Sequence, residues 1–249
     1  MLPSPSYHNP KVFILNSQRK FMDKQRIHRV RTAMDFTHLD RKLKAAYPFY
    51  GPANSKTLLE KIRSDSLKEP TSGQVVSFVH EYFKGEEPES QELTRIMRDR
   101  HFKAFTGILY DPKTQLAYFI DNPEFNERRI VDKGNLIKRL NESYAQVPFE
   151  HIKIGPIERK KIAKHPYIIA FAHGEEGAEK TTELVSKNTV KEAFLWVPNV
   201  SNLRKPEARI AALNSYCGGG LFVGGDRGDL CGGCAFGLFP TNINKSQKA

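Results

Sequence analysis

Cysteine is scarce in this chain: three occur in 249 residues, Cys217, Cys231 and Cys234, and all lie in the last stretch. A small secreted scaffold held by disulfides spreads an even number of cysteines along its length, so that class is excluded. Long apolar runs are missing too. The opening stretch MLPSPSYHNPKVFILNSQRK holds only the short group Val12 to Leu15, far less apolar length than a signal peptide or a membrane span requires. No internal repeat is visible, and the one tryptophan, Trp196 in FLWVPN, is expected in the core. These absences predict a cytoplasmic protein, or one delivered to another cell without a cleaved signal peptide.

Acidic residues are outnumbered, 28 Asp and Glu against 39 Lys and Arg, which leaves a formal net charge of +11. Such a surface attracts polyanions, so nucleic acid, acidic lipid headgroups and an acidic protein are all candidate partners. The basic residues are spread through the whole chain. The local cluster Arg26, His28, Arg29 and Arg31 lacks the interleaved aromatics used to bind single strands and reads as a solvated face.

Along the chain, KVFILN suits a short strand and is followed by the basic stretch 19–42. KTLLEKIRSDS then places Leu58, Leu59 and Ile62 at helical spacing behind Ser55 as a cap. The charged passage KGEEPES, from Lys84 to Ser90, has little to bury and is the best candidate boundary. It separates a basic, mainly helical N-terminal region, 1–88, from an α/β domain, 89–249. In the second part QELTRIMRDR reads as an amphipathic helix, and FKAFTGILYDPKTQLAYFID as a hairpin turning at DPKTQ.

NLIKRLNESY is helical in pattern, and FEHIKIG, IERKKIAK and PYIIAFA follow as strand, helix and buried strand. That order describes a parallel-rich α/β sheet flanked by helices. RIAALNSY fits either a buried strand or a helix, because Pro206, alanine and the glycine stop also suit a helix. GGDRGD, 224–229, lacks a P-loop lysine and its strand-to-helix setting, and reads as a flexible loop.

His173 follows the apolar run PYIIAFA, and Cys217 follows RIAALNSY. If both runs are neighbouring strands, the two side chains emerge at one rim, where an imidazole can convert a thiol to thiolate. Gly174 lets the main chain approach a carbonyl, and its N–H with that of Cys217 can stabilise an oxyanion. IIAFAHGEEG resembles the His-Gly segment of caspases and related caspase-fold cysteine peptidases, and ALNSYCGGG resembles their Cys segment. The resemblance spans roughly residues 130 to 220 and implies His173 as base, Cys217 as nucleophile and a peptide or other acyl bond as substrate. The chain departs from it by carrying NSYCGGG where caspases carry Gln-Ala-Cys-Arg-Gly.

Two other readings stay open. Cys231 and Cys234 form a C-x-x-C pair that can hold zinc from a tight turn. With His173-Gly174-Glu175 it resembles the signature of zinc-dependent nucleobase deaminases, which implies His173, Cys231 and Cys234 as zinc ligands and Glu175 as proton carrier. The third reading is a non-enzymatic module that binds a polyanion or a protein partner through its charge.

Overall fold

The computed structural model describes residues 31–215, 219–228 and 232–241. These described residues make up one compact unit. It begins with a hairpin, β1 (Thr32–His38) and β2 (Arg41–Tyr47), in antiparallel register with His38 opposite Arg41. The connecting pair Leu39 and Asp40 has φ of 46° and 59°, the double positive φ that lets a two-residue turn follow the twist of the strands. Met34, Phe36 and His38 alternate with exposed neighbours and face inward, so part of the expected basic stretch is an amphipathic ribbon.

The main sheet runs β3 (Tyr50–Ala53), β11 (Gly233–Ala235), β4 (His101–Asp111), β9 (Glu207–Asn214), β10 (Leu221–Asp226), β8 (Glu192–Trp196), β7 (Gly155–Glu158). β5 (Leu116–Asp121) pairs with the far half of β4 and carries β6 (Ala145–Pro148) at its other edge. Among the described residues only β10 with β8 and β11 with β4 pair in parallel, and every other pairing in this sheet is antiparallel. The fold is therefore mixed α/β with a mainly antiparallel sheet, in place of the parallel-rich one expected. The DPKTQ hairpin is present as β4 and β5, and RIAALN is a strand, β9.

β4 is the spine of the molecule. From Phe102 to Asp111 every residue is buried, because strands and helices cover both of its faces. On one face Phe102, Ile108 and Tyr110 join the large core, formed with α2 (Ser72–Tyr82), α3 (Pro88–Asp99), α6 (Pro166–Phe171) and α7 (Glu175–Ser186). On the other, Phe105 packs with Leu58, Leu59 and Ile62 of α1 (Ser55–Ser64). Each fully buried apolar side chain of this size contributes roughly 1.5–3 kcal/mol. The large core takes residues from Met34 to Leu238. Both β3 and β11, from opposite ends of the described chain, share one edge.

The helix caps are local in origin. Asn54 rather than Ser55 caps α1, accepting the Thr57 N–H at 3.0 Å. Thr71 and Gln74 form a reciprocal capping box on α2. The described part of the N-terminal region holds three strands, β1 to β3, beside helices α1 and α2.

PYIIAFA departs most from expectation, being the helix α6 and not a strand. Pro166 starts its first turn, and Tyr167, Ile168, Ala170 and Phe171 are buried at spacings of one, three and four, a helical stripe. Short helices α4 (Lys133–Lys138) and α5 (Arg159–Ile162) complete the framework. No helix among the described residues is long and apolar enough to cross a membrane.

Candidate functional site: a histidine and aspartate cleft

α6 ends in a Schellman motif. The Gly174 N–H donates to Ile169 O at 2.8 Å and the His173 N–H to Ala170 O at 3.3 Å, which places His173 at the left-handed position where glycine is usual. Its φ is +62°. Gly174, with φ of +123°, then opens α7. His173 is thus fixed at a helix-to-helix corner, not at the end of a sheet strand.

Three elements converge on that corner. The imidazole Nε2 lies 3.5 Å from Asp121 Oδ1 at the end of β5, and it is enclosed without a hydrogen-bond partner. Asp121 Oδ1 already accepts the Thr106 hydroxyl at 2.6 Å, and Thr106 Oγ1 in turn accepts the Ser72 N–H at 3.0 Å. Tyr144 covers the His173 ring at 4.0 Å between centroids and donates to Ala170 O at 3.2 Å. Gly73 of α2 is required beneath it, since a Cβ there would come within 2.7 Å of His173 Cβ.

His38, at the tip of β1, stands edge-on to His173 with centroids 6.2 Å apart. Its Nδ1 is 3.0 Å from Ser77 Oγ. Burial, then the neighbouring His173 and Lys180, lower the His38 pKa to about 4, against the opposing pull of Glu176 and Asp121. The ring is therefore neutral at neutral pH. Lys180 holds Glu176 at 2.6 Å and reaches Thr37 O at 3.3 Å, which ties α7 to the hairpin.

Two cavities meet at this point. One, of about 500 Å³, is lined by His38, Arg41, Lys68, Thr71, Asp121 and His173 together with apolar Leu238 and Phe239. The other, of about 630 Å³, is lined by Tyr144, Gln146, Ile169, His173 and Gly174. His173 and Leu39 belong to both walls. Arg41 and Lys68 form no ion pair among the described residues. The cleft thus offers cations at its mouth and a carboxylate acceptor deeper in.

Of the residues singled out by sequence, His173 and Gly174 lie in this cleft. Glu175 begins α7. Cys234 is buried in β11 beside Gly51, where burial pushes its thiol pKa up. Cys217 and Cys231 lie outside the described residues. No group of three His, Cys, Asp or Glu side chains is arranged to hold a metal among the described residues. GGD of 224–226 is buried strand β10 and not a loop. Arg31 does not belong to a solvated face, for it binds Asp65 at 2.9 Å and lies 3.7 Å over the Tyr50 ring. Trp196 is half-buried in β8, its ring tilted 30° to that of His101 with centroids 4.9 Å apart.

His38, Asp121 and Tyr144 were missed. The signal for His38 was the alternation M-x-F-x-H of β1, which puts a histidine on a buried face. Asp121 closes the apolar run LAYFI, a carboxylate at a strand end.

No family model and no curated protein matches this chain. A solved structure does: a protein from Nanoarchaeota, described under "Accommodation of massive sequence variation in Nanoarchaeota by the C-type lectin fold". The two are 13% identical with a TM-score of 0.55, over 85% of this chain and 99% of that one. The framework is thus that of the C-type lectin fold. This overturns the caspase resemblance and, with it, the cysteine hydrolase built on His173 and Cys217. His173 at a helix corner also removes the shared sheet rim which that chemistry needed.

Proposed function

We propose that this protein is a non-enzymatic binding module whose ligand enters the cleft between His38, Asp121 and His173. One observation carries the reading: two cavities of about 500 and 630 Å³ converge on the same imidazole, which sits at the left-handed position of a helix corner. A residue other than glycine costs about 1–3 kcal/mol in such a conformation, and this cost persists where the side chain has a task. The C-type lectin fold supports binding over hydrolysis.

The ligand chemistry follows from the wall. Arg41 and Lys68 supply positive charge at the mouth, Asp121 accepts a hydrogen bond, and Leu238 and Phe239 offer an apolar side. A small anionic ligand that also carries an O–H or N–H donor fits this set.

Titration of isotope-labelled protein with citrate and with inorganic phosphate, followed by the amide signals of His38, Thr71 and His173, tests the reading. Saturable shifts that vanish in the Arg41→Glu/Lys68→Glu variant are expected. Absence of shifts with both probes, or shifts that survive the double charge reversal, would refute it.

A further inference from the structure

On another part of the surface, three segments enclose a groove of about 530 Å³: Ile130, Val131 and Lys133 on one side, 202–208 on the other, and Arg227 at the end. The walls are held by main-chain contacts. The Val131 N–H donates to Arg227 O at 3.1 Å, the Asp132 N–H to Glu124 O at 2.8 Å, and the Leu203 N–H to Val200 O at 3.3 Å. Behind Arg227 the turn is pinned by the Gly228 N–H on Asp226 Oδ1 at 2.5 Å.

Four cations face this groove, Lys133, Arg204, Lys205 and Arg227, and all four are exposed. None forms an ion pair among the described residues. Among the described residues that line it Glu207 alone is acidic, and it is already committed to Arg209 Nε at 2.8 Å. Among the described residues the field of the groove is therefore positive and uncompensated from within.

Its floor decides between polyanions. Val131, Leu203, Pro206 and Ala208 are apolar, and among the described residues no aromatic side chain lines the groove. Single-stranded nucleic acid draws much of its affinity from bases stacked on aromatic rings, and none is offered here. An acidic polypeptide suits both features, with carboxylates on the Lys and Arg rim and aliphatic side chains on the floor. We infer that this groove is a docking site for an extended acidic peptide segment of a partner protein. The inference stands on the groove and does not depend on the histidine cleft.

The experiment uses the full chain and a fluorescent peptide with the repeat Glu-Leu-Glu-Glu-Leu-Glu, read by anisotropy at low and at physiological salt. An oligothymidylate of equal charge is run in parallel. The variants are Arg204→Glu/Lys205→Glu in the groove and Arg95→Glu/Arg98→Glu on α3, a second basic surface. The expected result is peptide binding that weakens about tenfold or more on groove reversal and little on α3 reversal, with a salt dependence typical of exposed charges. Equal loss in both variants would mean charge attraction without a site and would overturn the proposal. So would absence of peptide binding to the intact chain, and so would oligothymidylate binding more tightly than the peptide with the same dependence on Arg204 and Lys205. Circular dichroism of both variants establishes that the fold is retained, as expected for exposed positions.

Discussion

Replacing Asp226 by Asn takes the negative charge from a pair that is almost wholly sealed from water. Lys103 Nζ bonds Asp226 Oδ2 with side-chain exposures of 0% and 3%. The lysine stem lies against Gly233, where a Cβ would come within 2.4 Å of Lys103 Cε. Asparagine keeps an acceptor for the Gly228 N–H but takes the carboxylate charge away from a buried ammonium. Breaking such a pair from one side costs about 3–5 kcal/mol. For a domain of this size each kcal/mol moves the midpoint of melting by about 2–4 °C, so a fall of roughly 6–20 °C is expected.

Lys103→Met combined with Asp226→Asn removes both charges, and the double variant should recover most of the loss, since an apolar replacement of a buried pair is often neutral or stabilising. Urea unfolding of the wild type, both single variants and the double variant gives the coupling directly. A single variant within about 1 kcal/mol of wild type, or a double variant no more stable than Asp226→Asn, would refute the assignment of a dry, mutually dependent pair.

Two further outcomes follow from the cleft. Because the His38 pKa drops from 6.5 to about 4 on folding, the unfolded chain takes up its proton first as the pH falls. The associated stability is whole above about pH 6.5 and drains away towards pH 4, by at most ~3 kcal/mol and roughly 1–2 kcal/mol after solvent screening. His38→Gln should flatten this dependence; identical urea midpoint differences between pH 7.5 and pH 4.5 in variant and wild type would contradict it. Gly73→Ala should drive a Cβ into His173 and Ala172 O, costing about 1–3 kcal/mol by overpacking and abolishing the amide shifts seen with citrate or phosphate. A variant with wild-type melting and intact shifts would show that α2 and the helix corner are not in contact.

Elements whose pattern is local were legible in the sequence. The turn in DPKTQ set the β4 and β5 hairpin, and the amphipathic spacing of QELTRIMRDR set α3. PYIIAFA was misread because a short apolar run buried on most sides carries no period that separates strand from helix; only Pro166 marked it as helical. Within the cleft His173 was singled out, for the wrong chemistry. His38 and Asp121 were not, since nothing in the chain order says that the tip of β1 and the end of β5 meet at the corner after α6.

The sequence by itself determined composition, charge and some of the elements governed by neighbours a few positions apart: one hairpin turn and the apolar stripes of α1 and α3. Only the tertiary structure decided the mainly antiparallel sheet, the β3 and β11 edge closed from opposite ends of the described chain, and the convergence of His38, Asp121 and His173. The physical reason is the range of the interactions. Local signals act through dihedral preference and adjacent side chains, whereas sheet order and site assembly arise from burial shared among residues far apart in the chain.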